Sequence, residues 1–108
     1  MASLRTRTLC AGILVAALVG CATPGETRAG YLLQGDVQNI INANELAQGH
    51  PFGGRVVDTE VVSEEGGTVV EHWYVQRGDH QVVYLVTLTT NPAGGTDIRV
   101  TLPEEDRT

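Results

Sequence analysis

The residues after position 30 predict an α+β domain of two layers, one helix packed on a four-stranded antiparallel meander. Three observations predict it. Apolar residues recur at helical spacing only over Asp36–Gln48, the period changes to alternation from residue 55 to 102, and the connections between alternating runs are short. Short connections join antiparallel neighbours, because a parallel crossover needs a dozen or more residues.

In chain order, the first element is not part of the domain. Arg5 and Arg7 precede an apolar run, Leu9 to Val19, which closes on small residues at Gly20-Cys21. This is the layout of a secretory signal over residues 1–20, and the run is shorter than the ~20 apolar residues that span a bilayer. Leu18-Val19-Gly20-Cys21 resembles the lipobox of bacterial lipoprotein precursors. The resemblance implies diacylglycerol on the Cys21 thiol, cleavage before it, and often acylation of the new amine. Two or three chains anchor durably, each buried CH₂ contributing about 0.8 kcal/mol. Ala22 stands where an Asp favours inner-membrane retention, so the family rule implies an outer-membrane anchor facing the periplasm.

Residues 21–30 read as a lipidated cysteine and flexible tether, since Pro24, Gly25 and Gly30 interrupt a small, polar stretch. Residues 31–103 form the domain and 104–108 an acidic tail. Asp36 is positioned to cap the helix, Val37, Ile40 and Ile41 supply its apolar face, and Gly49 with Pro51 stops it. Four strand-like runs follow: Arg55–Ser63, Gly67–Arg77, His80–Thr90 and Thr96–Leu102. Glu64-Glu65-Gly66 suits a three-residue loop, Gly78-Asp79 a two-residue turn with Gly first, and Asn91–Gly95 a longer loop.

Centring hairpins on those turns opposes Val61 to Val69, Val57 to Trp73, Trp73 to Tyr84, Val75 to Val82, Val86 to Val100 and Leu88 to Ile98. The inner face then carries Val57, Val61, Val69, Trp73, Val75, Val82, Tyr84, Val86, Leu88, Ile98, Val100 and Leu102. Val56, Val62, Val70, Tyr74, Val83 and Leu85 fall on the outer face, with Asp58 opposite His72. A sheet covered by one helix should be wetter there, so that face is covered by the tether or tail, or meets a partner. The partner-binding expectation rests on Tyr74, Val83, Leu85, Val70 and His72, apolar residues with an aromatic anchor inside a charged rim of Asp58, His72 and Arg99.

Composition excludes several classes of function. Past residue 20 the chain has thirteen carboxylates, five arginines and no lysine, a net charge of −8 before any histidine charge. Such a surface repels nucleic acid. Cys10 lies in the signal, so the mature chain has only the lipidated cysteine and no disulfide. Ser63 is its only serine, and no G-x-S-x-G, H-E-x-x-H, P-loop or dinucleotide pattern occurs. His50, His72 and His80 have no zinc-ligand spacing, so neither metal nor cofactor is expected. Glu71 falls on the inner face, either buried with a raised pKa or at the sheet margin, solvated or paired with an arginine.

The succession of lipobox, tether, helix, Pro51-Phe52-Gly53 turn and strands reaching Trp73-Tyr74 resembles the SmpA-type small lipoproteins of the outer-membrane β-barrel assembly machinery, over residues 34–75. That family sets a helix before a three-stranded sheet and is a non-catalytic accessory. The stretch from Trp73 through Asp79, with Gly94-Gly95-Thr96-Asp97, resembles small proteobacterial envelope lipoproteins more generally. The expected function is a membrane-anchored, non-catalytic binding or scaffold module with an envelope protein partner. A periplasmic inhibitor or ligand-sequestering lipoprotein is the alternative, and an envelope hydrolase, resting on Glu71 alone, the last.

Overall fold

The computed structural model describes residues 23–50 and 54–107. Residues 1–22, on which the expected signal and the lipidated cysteine fall, and 51–53, on which the expected turn falls, lie outside the described residues. One helix, α1 (Tyr31–Ala47), packs on a four-stranded antiparallel sheet of β1 (Arg55–Glu65), β2 (Thr68–Arg77), β3 (His80–Thr90) and β4 (Thr96–Thr101), ordered β1-β2-β3-β4. A short 3-10 turn, Glu104–Asp106, follows.

Helix α1 begins five residues before Asp36, which is exposed and caps nothing; Gly30 is the N-cap. The reason is tertiary. Leu33 packs on the core, and the Gln34 side chain donates to the Ala29 carbonyl and accepts from the Thr23 N–H. These contacts carry the helix through Gly35, a residue that by itself disfavours it by about 1 kcal/mol. At the other end the expected stop holds. Gly49 adopts φ +90°, His50 N–H reaches the Glu45 carbonyl and Gly49 N–H that of Leu46, the reciprocal closure of a Schellman motif. The buried stripe is Val37, Ile41 and, unexpectedly, Glu45.

Strands β2, β3 and β4 pair in the predicted register: Trp73 with Tyr84, Val75 with Val82, Val86 with Val100 and Leu88 with Ile98. Strand β1 does not. Its turn is Gly66-Gly67, with φ +55° and +83°, so Glu65 faces Thr68 and the three-residue loop shortens to two. Two irregularities, between Val61 and Ser63 and between Val56 and Asp58, then each take back one residue of that shift without restoring the expected pairs. Val61 opposes Glu71, not Val69, and Thr59 replaces Val57 opposite Trp73. Val56 swings inward to face Val75 and packs on the core, contrary to its outer-face assignment. Glu60 takes the place opposite His72, while Asp58 opposes Tyr74.

The core is Val37 and Ile41 of α1 with Trp73, Val75, Val82, Tyr84, Val86 and Leu88 of the sheet, closed by Ala29. Residues 23–30 are not a free tether. Glu26 N–H donates to the Thr59 carbonyl at the open edge of β1, and Thr59 Oγ1 donates to the Pro24 carbonyl. Gly25 is required here, since its φ is +92° and a Cβ would stand 2.5 Å from the Thr59 backbone. The segment covers a strand edge that would otherwise present unpaired backbone groups.

Candidate functional site

The five residues expected to bind a partner all stand on the sheet face away from α1. Val70 opposes Thr87, His72 opposes Leu85, and Tyr74 opposes Val83 across β2 and β3. Val83 is 39% exposed and the other four are half-buried. An open groove of about 480 Å³ runs beside them, lined by His72, Val83, Leu85, Thr101, Pro103 and Arg107 among others. The terminal segment after β4 forms its far wall. His72, Val83 and Leu85 are therefore gathered at one concavity, whereas Val70 and Tyr74 lie outside its lining. Arg99, expected on the rim, opposes Thr87 from β4 and is exposed.

A small polar cluster fixes the Tyr74 end. Tyr74 Oη donates to Glu60 Oε1 at 2.8 Å, and His72 Nδ1 lies 3.7 Å from the same oxygen. The two rings meet edge to face, centroids 6.0 Å apart at 82°. The bond to Glu60, with some burial, holds the Tyr74 phenol above its ordinary pKa. The ring is thus oriented without being immured.

The inner face holds two buried carboxylates with opposite solutions. Glu71, fully buried, is neither solvated nor paired with an arginine, as the marginal reading required. It accepts from Thr27 Oγ1 and the Arg28 N–H, both at 2.6 Å, and from Trp73 Nε1 at 2.8 Å. Three donors from two chain segments converge on it, so Glu71 is the peg on which residues 27 and 28 hang. Glu71 is thus a fully bonded carboxylate, not an unpaired one.

Glu45 is the second, and its partner was invisible in the sequence. Arg77 Nε and Nη2 clamp its two oxygens at 3.0 and 2.6 Å, and Tyr84 Oη donates to Oε2 at 2.5 Å. Arg77 also reaches Asp106 through Nη1 at 3.2 Å and Nη2 at 2.7 Å, and Glu105 at 3.1 Å. Asn44 Nδ2 donates to Tyr84 Oη at 2.7 Å. One arginine thereby ties α1, the end of β2 and the C-terminal turn together, so the acidic tail expected at 104–108 is docked through at least Asp106. The hint available in the sequence was position: Arg77 continues the inward alternation of Glu71, Trp73 and Val75.

Burial pushes the Glu45 carboxyl up, but the hydrogen bonds from Arg77 and Tyr84 and the Arg77 charge outweigh it and hold the pKa below its ordinary 4.5. Burial and the bond to Glu45 push the Tyr84 phenol up to about 12. The sign follows for acid stability. Below pH 4.5 the unfolded chain binds the Glu45 proton and the folded one resists it, so this contribution is complete above that pH and lost as pH falls through the folded value. Melting temperature should decline over that acid window, and Glu45→Gln should flatten the decline. An equally steep profile in the variant would remove Glu45 as its source.

Among the described residues no group of three or more His, Cys, Asp and Glu is arranged to hold a metal. His50, His72 and His80 are dispersed: His50 closes the helix, His72 faces the groove, and His80 lies beside Asp79 and Glu105. No helix among the described residues is long and apolar enough to cross a membrane. Ser63 sits exposed at the irregular end of β1, opposite Val70. The described site is therefore an open groove on a sheet face, with Val83, Leu85 and Leu102 set among polar and charged side chains and backed by a core that two buried carboxylate networks lock. Comparison of the chain with family models, with curated proteins and with solved structures returns no match.

Proposed function

We propose that the chain is a lipid-anchored protein of the bacterial cell envelope whose domain is a non-catalytic binding or scaffold module. The observation that carries the reading is Leu18-Val19-Gly20-Cys21 in register behind Arg5, Arg7 and the Leu9–Val19 run. The absence of an Asp at Ala22, read by the rule of the family the lipobox resembles, supports an anchor on the outer membrane facing the periplasm. Mass spectrometry of the mature protein should find acylated Cys21 and nothing upstream, and Cys21→Ser should leave unprocessed precursor. A mature chain starting elsewhere without lipid would sink the proposal.

An envelope protein is the proposed partner, received on the outer sheet face. Val83 and Leu85 in the groove, with Tyr74 oriented beside it, supply apolar contact inside a polar rim, the usual anatomy of a recognition patch. Because Tyr74 Oη is bonded to the exposed Glu60 and Val83 is part-exposed, Tyr74→Ala and Val83→Asp should leave circular dichroism nearly unchanged. Both should abolish capture of the partner from detergent-solubilised envelopes. If both unfold the domain instead, the face is core and the assignment is wrong.

Ligand sequestration is the second reading, and the groove favours it. Its volume of about 480 Å³ lies within the range of ~300–1,000 Å³ in which small molecules bind. Native mass spectrometry of freshly purified protein would separate the two, since a sequestering domain should carry a small ligand that Val83→Asp expels.

A further inference from the structure

We infer that the solvent face of α1 lies flat on the bilayer that holds the anchor, so that the domain touches the membrane through this helix while the groove faces away. The inference rests on lipidation of Cys21. Thr23 is already docked: its N–H donates to Gln34 Oε1 at 2.9 Å and its Oγ1 accepts from Gln38 Nε2 at 2.8 Å. Two peptide units separate Thr23 from Cys21, which limits the distance between their Cα atoms to about 7 Å. Acyl chains attached there must enter the bilayer beside α1. The anchor therefore has no slack to hold the domain off the surface.

The helix face next to that point is suited to the contact. At about 100° per residue, Leu32, Asn39, Ala43 and Leu46 fall opposite the buried stripe of Val37, Ile41 and Glu45. Leu32 is 81% exposed, Leu46 56% and Ile40, on the flank, 41%. Their exposure has no counterpart in the needs of the fold. The helix contains no lysine or arginine, and of its two acids Glu45 is buried against Arg77, so Asp36 is the single charge the face offers. The other exposed carboxylates lie off the helix: Glu26, paired with Arg28, on the segment that covers β1, Glu60, Glu64 and Glu65 on the first hairpin, Asp79 and Asp97 at the later turns, and Glu104 and Glu105 at the C-terminal turn. A domain of net negative charge can rest on a layer of lipid phosphates only through a side that carries almost none of that charge. An apolar helix face buried about 5–10 Å into the headgroup region is the interfacial mode this geometry fits.

The mature chain has no other free thiol, so single cysteines can be labelled cleanly. Full-length lipidated protein carrying Leu32→Cys, Leu46→Cys or, as a control on the first hairpin, Val62→Cys is labelled with an environment-sensitive fluorophore. It is then reconstituted into neutral phosphatidylcholine vesicles with doxyl quenchers in the acyl chains. Labels at 32 and 46 should shift to the blue and lose intensity to the quenchers, and the label at 62 should do neither. Aqueous emission at 32 and 46 from lipidated, vesicle-bound protein overturns the inference and leaves the anchor intact. Absence of lipid on Cys21 overturns both. Protection that appears in detergent and scales with protein concentration would assign the face to a second copy and also overturn it.

Discussion

Replacement of Arg77 by alanine is expected to destabilise the domain by about 3–5 kcal/mol, the cost of removing one partner from a buried ion pair. Glu45 is fully buried and would lose its bidentate arginine, keeping the Tyr84 hydroxyl as its side-chain donor among the described residues. The C-terminal turn would lose its arginine in the same step, because Asp106 and Glu105 are both held by Arg77, leaving Glu105 only its pairing with His80. A small domain has about 5–15 kcal/mol in total, so equilibrium denaturation should show a large loss, with partial unfolding already at moderate temperature. The double variant Glu45→Leu with Arg77→Met is the informative control. It removes both charges, fills the space with apolar atoms and should recover most of the loss. A single variant costing less than about 1 kcal/mol would mean that water reaches Glu45 and that the network is a surface feature.

Trp73→Ala is the second large effect, also about 3–5 kcal/mol. Trp73 is fully buried, stands between Thr59 and Tyr84 in the pairing of β1, β2 and β3, and donates its indole N–H to Glu71. Truncation would open a cavity at the centre of the sheet and remove one of three donors from a buried carboxylate. Trp73→Phe separates these contributions, since it keeps most of the volume and loses only the N–H. It should cost less than the alanine change but loosen residues 27 and 28, which share Glu71, so that limited proteolysis cuts near Arg28. As the chain's only tryptophan, Trp73 should emit in the blue and resist aqueous quenchers. A solvent-exposed emission maximum in the folded protein would contradict its place in the core.

The inner-face residues of β2, β3 and β4 were legible because strict alternation meets two unambiguous turns, Gly78-Asp79 and Asn91–Gly95. In β1 the alternation was misleading. Val56, Val57, Val61 and Val62 offer apolar residues on either face, and the choice among them depends on a Gly66-Gly67 turn and two irregularities that have no local signature. The outer-face residues of the groove followed from the good part of the register. The C-terminal wall of that groove did not, since nothing in Pro103–Arg107 announces where a tail will dock.

The sequence by itself determined the α+β class, the register of three strands and the helix stop, because each rests on local chemistry: a period, or a glycine where φ must be positive. Tertiary structure alone decided where the helix starts, where residues 23–30 lie and how two buried carboxylates are satisfied. Those outcomes come from partners far apart in the chain, Arg77 with Glu45 and Asp106, Glu71 with Thr27 and Arg28, and Gln34 with Thr23. A charged side chain has no periodic signal to declare its partner. Its burial is favourable only when the opposite charge or the right donors are already folded around it.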